Sequence, residues 1–195
     1  MGLLDKIVEK SQPLINWIGD LHWPYTHKRI TGKHYYSWRD MIKPGQIFLS
    51  KTRGELSNII NPSELKHSAI YLGGGGIKYI MESVADGVIK TDLVTFLTSK
   101  DRIVIIEPTF ADDAMMKNVA MQALLYKDTA YDFQFKEGDQ KLYCFELIFE
   151  AYRKLFPDQR FKKAEVFGRM VWTSDSLLED SANWRIVLDS SKGML

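Results

Sequence analysis

The sequence predicts an α+β domain in which an antiparallel sheet, or the same sheet curled into an open barrel, packs against helices. Three observations predict this class. Apolar runs of strand length recur at 46–50, 67–72, 77–82 and 102–107. Four glycines, Gly73 to Gly76, join the second and third runs so closely that only an antiparallel hairpin can connect them. Two helix-spaced patterns follow, one opened by Asp112 and Asp113 and the other beginning at Cys144.

The elements follow in chain order. Apolar positions within 3–21 predict two short amphipathic helices broken at Pro13. Their polar face is mixed in charge, which fits packing on the domain better than a basic membrane-surface helix. From Leu21 to Pro44 runs a predicted loop rich in aromatics and histidine: His22, Trp23, Tyr25, His27, His34, Tyr35, Tyr36 and Trp38. These histidines match no ligand spacing, and no cysteine or carboxylate stands at ligand spacing beside them, so no metal site is assigned. The loop either walls a cleft or covers the sheet.

Past Pro44-Gly45 come the strand at 46–50, the hairpin, a turn at Ala85-Asp86-Gly87 and a strand at 88–90. A helical piece at 93–97 precedes the strand at 102–107, which Pro108 stops. The Asp112 helix places Met115, Val119, Ala120, Ala123 and Leu124 on one stripe and Lys127 at its end. Tyr131, Asp132, Phe133 and Phe135 form a loop or a short extended piece before the Cys144 helix, which ends near Pro157. The tail reads as a strand at 165–172, a helix start at Thr173-Ser174-Asp175 and a closing strand at 184–188. With no repeat, low-complexity tract or linker, residues 1–195 are expected to form one domain, with 1–42 a helical and aromatic extension and 43–190 the core.

The chain has 26 basic and 25 acidic side chains and a net charge of +1, which argues against a nucleic-acid partner. No run approaches the ~18 apolar residues of a membrane span, and the N-terminus lacks the pattern of an export signal. A single cysteine excludes an internal disulfide framework. The expected location is the cytoplasm.

The candidate chemistry lies in three residues. Cys144 stands where a loop turns into a helix, and backbone N–H groups of a first helical turn favour a thiolate there. Alone it also fits the commoner fate of a single cysteine, a small buried apolar side chain. His67 and Glu82 alter that balance. If the hairpin is symmetric about Gly74 and Gly75, paired residue numbers sum to 149, and His67 directly faces Glu82. Opposed side chains lie about 4.5–5.5 Å apart at Cβ, close enough for a carboxylate to steer an imidazole. A bulge or a one-residue slip would send Glu82 to the other face. Singly, His67 also fits a strand-edge histidine bonded to backbone, and Glu82 a solvated strand-end carboxylate. Together with Cys144 they supply a nucleophile, a base and an orienting group.

Assembled in this order, the residues resemble the permuted papain-like cysteine hydrolases of the NlpC superfamily, in the YiiX/YaeF-like branch related to lecithin retinol acyltransferases. The matching segments are 44–50, 67–73, Met81-Glu82, 130–133 and 142–147. The histidine strand precedes the cysteine helix, the reverse of the usual papain-like order. The resemblance implies a circularly permuted papain-like fold with Cys144 as nucleophile, His67 as general base and acid, and Glu82 orienting it. It implies also that Tyr131 sits near the thiolate and donates to an oxyanion. Phe145 stands where the family commonly has serine, and Asp128-Thr129 replace a glycine-led turn, so the substrate pocket is expected to differ.

The expected function is hydrolysis of an amide or peptide bond, such as a cell-wall-type peptide, through a thioester, with no cofactor. A lipid ester or lipid amide, hydrolysed or passed to another acceptor, is the alternative substrate class. An alternative of another kind is a catalytically silent module that binds a ligand through the aromatic segment 23–38.

Overall fold

The computed structural model describes residues 30–52, 63–138, 140–166 and 168–194. The amphipathic pattern at 3–21 and the side chains of His22, Trp23, Tyr25 and His27 lie outside them. Five helices occur among the described residues: α1 (Gly32–Trp38), α2 (Leu93–Thr98), α3 (Asp113–Leu124), α4 (Cys144–Leu155) and α5 (Ser174–Leu178). The strands are β1 (Ile47–Lys51), β2 (His67–Gly73), β3 (Tyr79–Val84), β4 (Gly87–Asp92), β5 (Arg102–Pro108), β6 (Ala164–Val166), β7 (Arg169–Val171), β8 (Trp184–Asp189) and β9 (Gly193–Met194). Seven of them form one sheet in the order β4, β3, β2, β1, β5, β8, β9, and every pairing in it is antiparallel. Mixed helix and antiparallel sheet is the predicted class.

Strands β1, β2, β3 and β5 read as continuous apolar runs because both faces of the sheet are covered. Ile47, Leu49, Ile70, Met81, Val104 and Ile106 face one core, shared with Val119 and Ala123 of α3 and with Leu147, Ile148 and Ala151 of α4. The alternate residues Phe48, Ala69, Tyr71, Ile80, Ile103 and Ile105 face a second core, closed by Trp38 of α1 and by Leu93, Phe96 and Leu97 of α2. Full burial of one such Leu, Ile or Phe side chain stabilises the fold by about 1.5–3 kcal/mol.

Four expectations are corrected. Residues 32–38, read as loop, form α1: the Thr31 N–H donates to His34 Nδ1 at 3.1 Å, and Trp38 is buried one turn beyond His34, their rings 5.2 Å apart. The buried stripe of α3 is Met116, Val119, Ala120 and Ala123, a clean i, i+3, i+4, i+7 set that leaves Met115 and Leu124 exposed. The strand expected at 165–172 is instead a two-stranded hairpin, β6 with β7, turning through Gly168 at φ +75°. The fourth correction concerns the β2–β3 register and is taken up with the site.

Gly45 joins β1 to α3 and α4. Its φ is +90°, and a Cβ there would lie 2.2 Å from the Met116 carbonyl oxygen. The Gly45 N–H donates to the Tyr71 carbonyl at 2.8 Å, and the buried Tyr152 hydroxyl of α4 donates to the Gly45 carbonyl at 2.8 Å. A side chain at 45 therefore opposes both the backbone conformation and the contact. Gly45→Ala is expected to destabilise the protein by about 2–4 kcal/mol in chemical denaturation, whereas Gly75→Ala, with open space around it, should cost under about 1 kcal/mol.

Candidate active site

Cys144 is the first residue of α4, after Tyr143, whose extended backbone (φ −81°, ψ 171°) caps the helix without a side-chain hydrogen bond. The N–H groups of this turn have no acceptor within the helix, so they are aimed at whatever lies before it. The thiol is 6% exposed and its sulfur lies 3.9 Å from the Lys66 carbonyl oxygen. That contact brings the helix tip to the beginning of β2. His67, the next residue, opens the strand at the end of the sheet, where a side chain of one face can meet the tip of a helix packed on the other.

The His67 ring has two side-chain partners, Cys144 and Glu82. Its Nε2 lies 2.8 Å from Glu82 Oε2, which leaves Nδ1 as the ring nitrogen for the sulfur. Glu82 does not directly oppose His67. The register pairs Ala69 with Glu82, two residues from the symmetric expectation: the pairing next to the loop, Gly73 with Tyr79, is offset by three, and the irregularity between Tyr71 and Gly73 takes back one. A shift of two preserves the face, so Glu82 reaches His67 along the diagonal, a span that a glutamate side chain covers.

Strand β3 sets both halves of this arrangement. Glu82 points to one face and carries the imidazole. Ser83 points to the other, where its buried hydroxyl donates to the Leu142 carbonyl at 2.5 Å, two residues before Cys144. The segment leading to α4 is further held by the Leu142 N–H, which donates to the Ala130 carbonyl at 2.9 Å, and by the Trp172 N–H, which donates to the Tyr143 hydroxyl oxygen at 2.9 Å. The first of these tethers brings Tyr131 alongside the core around Cys144.

The electrostatics follow from burial and pairing. Burial pulls the His67 imidazole down, but its hydrogen bonds with Cys144 and Glu82 outweigh this and push it up to about 9. For Glu82 burial acts upward, and the His67 bond and charge, with Lys100 and Thr91 adding to them, bring the carboxyl down to about 2. An imidazolium–carboxylate pair is therefore the stable state at neutral pH. Burial, then the charges of Cys144 and Asp132, hold the Tyr131 phenol well above its usual range, so it keeps its proton. Burial, opposed by the Gly138 N–H and reinforced by Asp132, pushes Glu146 up to about 8. Glu146 is thus mainly neutral near pH 7, and no negative charge develops two residues from the sulfur.

The four residues singled out in the sequence are thus neighbours. Others at the site carried no sequence signal. The Thr91 hydroxyl donates to Glu82 Oε1 at 2.5 Å. The Phe96 ring lies 6.2 Å from the His67 ring, and Lys100 Nζ stands 4.8 Å above the Phe96 ring. Finding Thr91 requires the β3–β4 register, and finding Phe96 requires the packing of α2 on the second face.

Among the described residues no group of three or more His, Cys, Asp or Glu side chains could hold a metal ion. No described helix is long and apolar enough to cross a membrane.

Comparison with known proteins places this geometry. One solved structure, described as the crystal structure of metalloprotein yiiX from Escherichia coli O157:H7, has the same fold with a TM-score of 0.64. The likeness covers 76% of this chain and 97% of that one at 16% identity. No curated protein sequence matches the chain. A family model described as permuted papain-like amidase enzyme, YaeF/YiiX, C92 family, matches residues 41–189. With helix and antiparallel sheet arranged as in yiiX and with most of its length matched by that model, the chain belongs to the YaeF/YiiX, C92 family of permuted papain-like amidases.

Proposed function

We propose that the protein cleaves an amide or peptide bond through a thioester on Cys144, with His67 as general base and acid, Glu82 orienting the imidazole and Tyr131 donating to the oxyanion. The observation that carries this reading is the His67 ring, bonded at Nε2 to Glu82 at 2.8 Å and partnered on its other side by Cys144. Membership of an amidase family gives the reaction class.

In the first step the proton shared by Cys144 and His67 is already on the imidazole, its stable state at neutral pH, and the sulfur attacks the carbonyl carbon. The tetrahedral oxyanion is met by N–H groups of the first turn of α4 and by the Tyr131 hydroxyl, which stays protonated. The C–N bond then breaks as His67 returns its proton to the leaving amine. In the second step His67 takes a proton from water, the hydroxide attacks the thioester, and the acid leaves with Cys144 and the imidazolium restored. Glu82 keeps the imidazolium stable and fixes its ring plane throughout.

Intact-mass measurement after brief incubation with muropeptides or with long-chain lipid amides tests this directly. A peptide acyl increment on Cys144 supports the amidase reading, a long aliphatic increment moves the substrate to the lipid class, and an adduct-free protein that still turns substrate over contradicts it. Cys144→Ala should reduce turnover to background, and Tyr131→Phe should lower it by about 10²-fold.

The pH behaviour follows from the two shifted groups. His67 is raised above its ordinary 6.5, so its contribution to stability is complete below that value and is lost as pH rises through about 9. Glu82 is lowered from 4.5, so its contribution is complete above that value and is lost as pH falls towards about 2. The imidazolium is the acid for the leaving amine. The alkaline limb of kcat/KM is therefore expected near pH 9 in the wild type and at lower pH in Glu82→Gln, read from a full rate profile.

A further inference from the structure

Glu82 sits on β3 between two strands, aligned with Ala69 of β2 and with Ile89 of β4. His67 lies two residues from Ala69, and Thr91 lies two residues from Ile89. Counted along β3, His67 falls at the level of residue 84 and Thr91 opposite Ile80, so the three side chains share one face and run diagonally across three strands. The carboxylate is bound from both ends: Oε2 meets His67 Nε2 at 2.8 Å, and Oε1 accepts from the Thr91 hydroxyl at 2.5 Å. Two bonds from opposite directions remove the rotation about the carboxylate that one alone would leave. We propose that Thr91 is a positioning residue for the His67–Glu82 pair, pinning one carboxylate oxygen so that the other stays on the imidazole.

The backbone around Thr91 is fixed although β4 is an edge of the sheet. Asp92 caps α2, its Oδ1 accepting from the Thr95 N–H at 2.9 Å, and the Leu93 N–H donates to the Lys78 carbonyl at 2.9 Å. The helix so anchored carries Phe96, which backs the His67 ring. One strand-to-helix junction therefore supplies the hydroxyl that holds the carboxylate and the ring that supports the imidazole. The Glu82 side chain is only 8% exposed, so water has little room to replace a lost hydroxyl.

This inference rests on the acid–base reading of His67, and its test separates the two. In protein labelled with ¹⁵N-histidine, the His67 ring is titrated by two-bond ¹H–¹⁵N correlation in the wild type, Thr91→Val and Thr91→Ser. The wild-type ring should titrate near pH 9, Thr91→Val about one unit lower, and Thr91→Ser close to the wild type. A Thr91→Val titration equal to the wild type, or a Thr91→Ser shift as large as that of Thr91→Val, would overturn the proposal even if both variants lose thermal stability. Should Thr91→Val fail to fold, Thr91→Ala serves for the same comparison. Labelling of wild-type Cys144 by an electrophilic acyl probe is measured alongside. Absent labelling with a displaced titration keeps Thr91 as a positioning residue and removes the amidase reading. Normal labelling with an undisplaced titration removes only the role of Thr91.

Discussion

The hydrogen bond between His67 and Glu82 is the constraint on which the site depends. It joins two strands at the end of a sheet whose faces are otherwise filled with aliphatic and aromatic side chains. Buried charges in such surroundings need a partner, because loss of either one strands the other. Its importance is directional more than stabilising: a buried ion pair contributes little net free energy, but it gives the imidazole one orientation and one charge state. That orientation turns the free ring nitrogen towards the tip of α4.

The same strand regulates the distance between the two halves. Successive residues of β3 point to opposite faces, and here the alternation places Glu82 under the imidazole and Ser83 under the peptide that leads into the cysteine helix. Tyr152, about two turns along α4 and in its last turn, is bonded to the Gly45 carbonyl just before β1, so the helix is held near both ends against the sheet. Phe149, stacked on Trp172 at 4.5 Å, ties its middle to the tail of the chain. The nucleophile position is thus set by packing along the whole helix together with the tethers on the segment before it.

Much of this was legible in the residues, and the failures have identifiable causes. Cys144 could be placed at a helix start because a polar loop gives way to a helical apolar period there. The partnership of His67 and Glu82 survives a wrong register because sheet faces repeat every two residues, and the loop offset and the irregularity near Gly73 together moved the pairing by two. A shift of one would have broken it. Thr91 was out of reach, since nothing in the local sequence tells that its hydroxyl lies on a diagonal with a residue nine positions earlier. Helix α1 was hidden because histidine and aromatic residues have weak helix propensity, and burial of Trp38 decides the matter instead. The stripe of α3 was misread by one residue because Met115 and Met116 are chemically equal and only tertiary packing chooses between them.

The most direct measurement is the rate at which iodoacetamide alkylates Cys144 at pH 6, compared between the wild type and His67→Ala. If the imidazole steered by Glu82 activates the sulfur, the wild type should be faster by about tenfold or more. Equal rates in the two proteins would contradict a working contact between the sulfur and the ring.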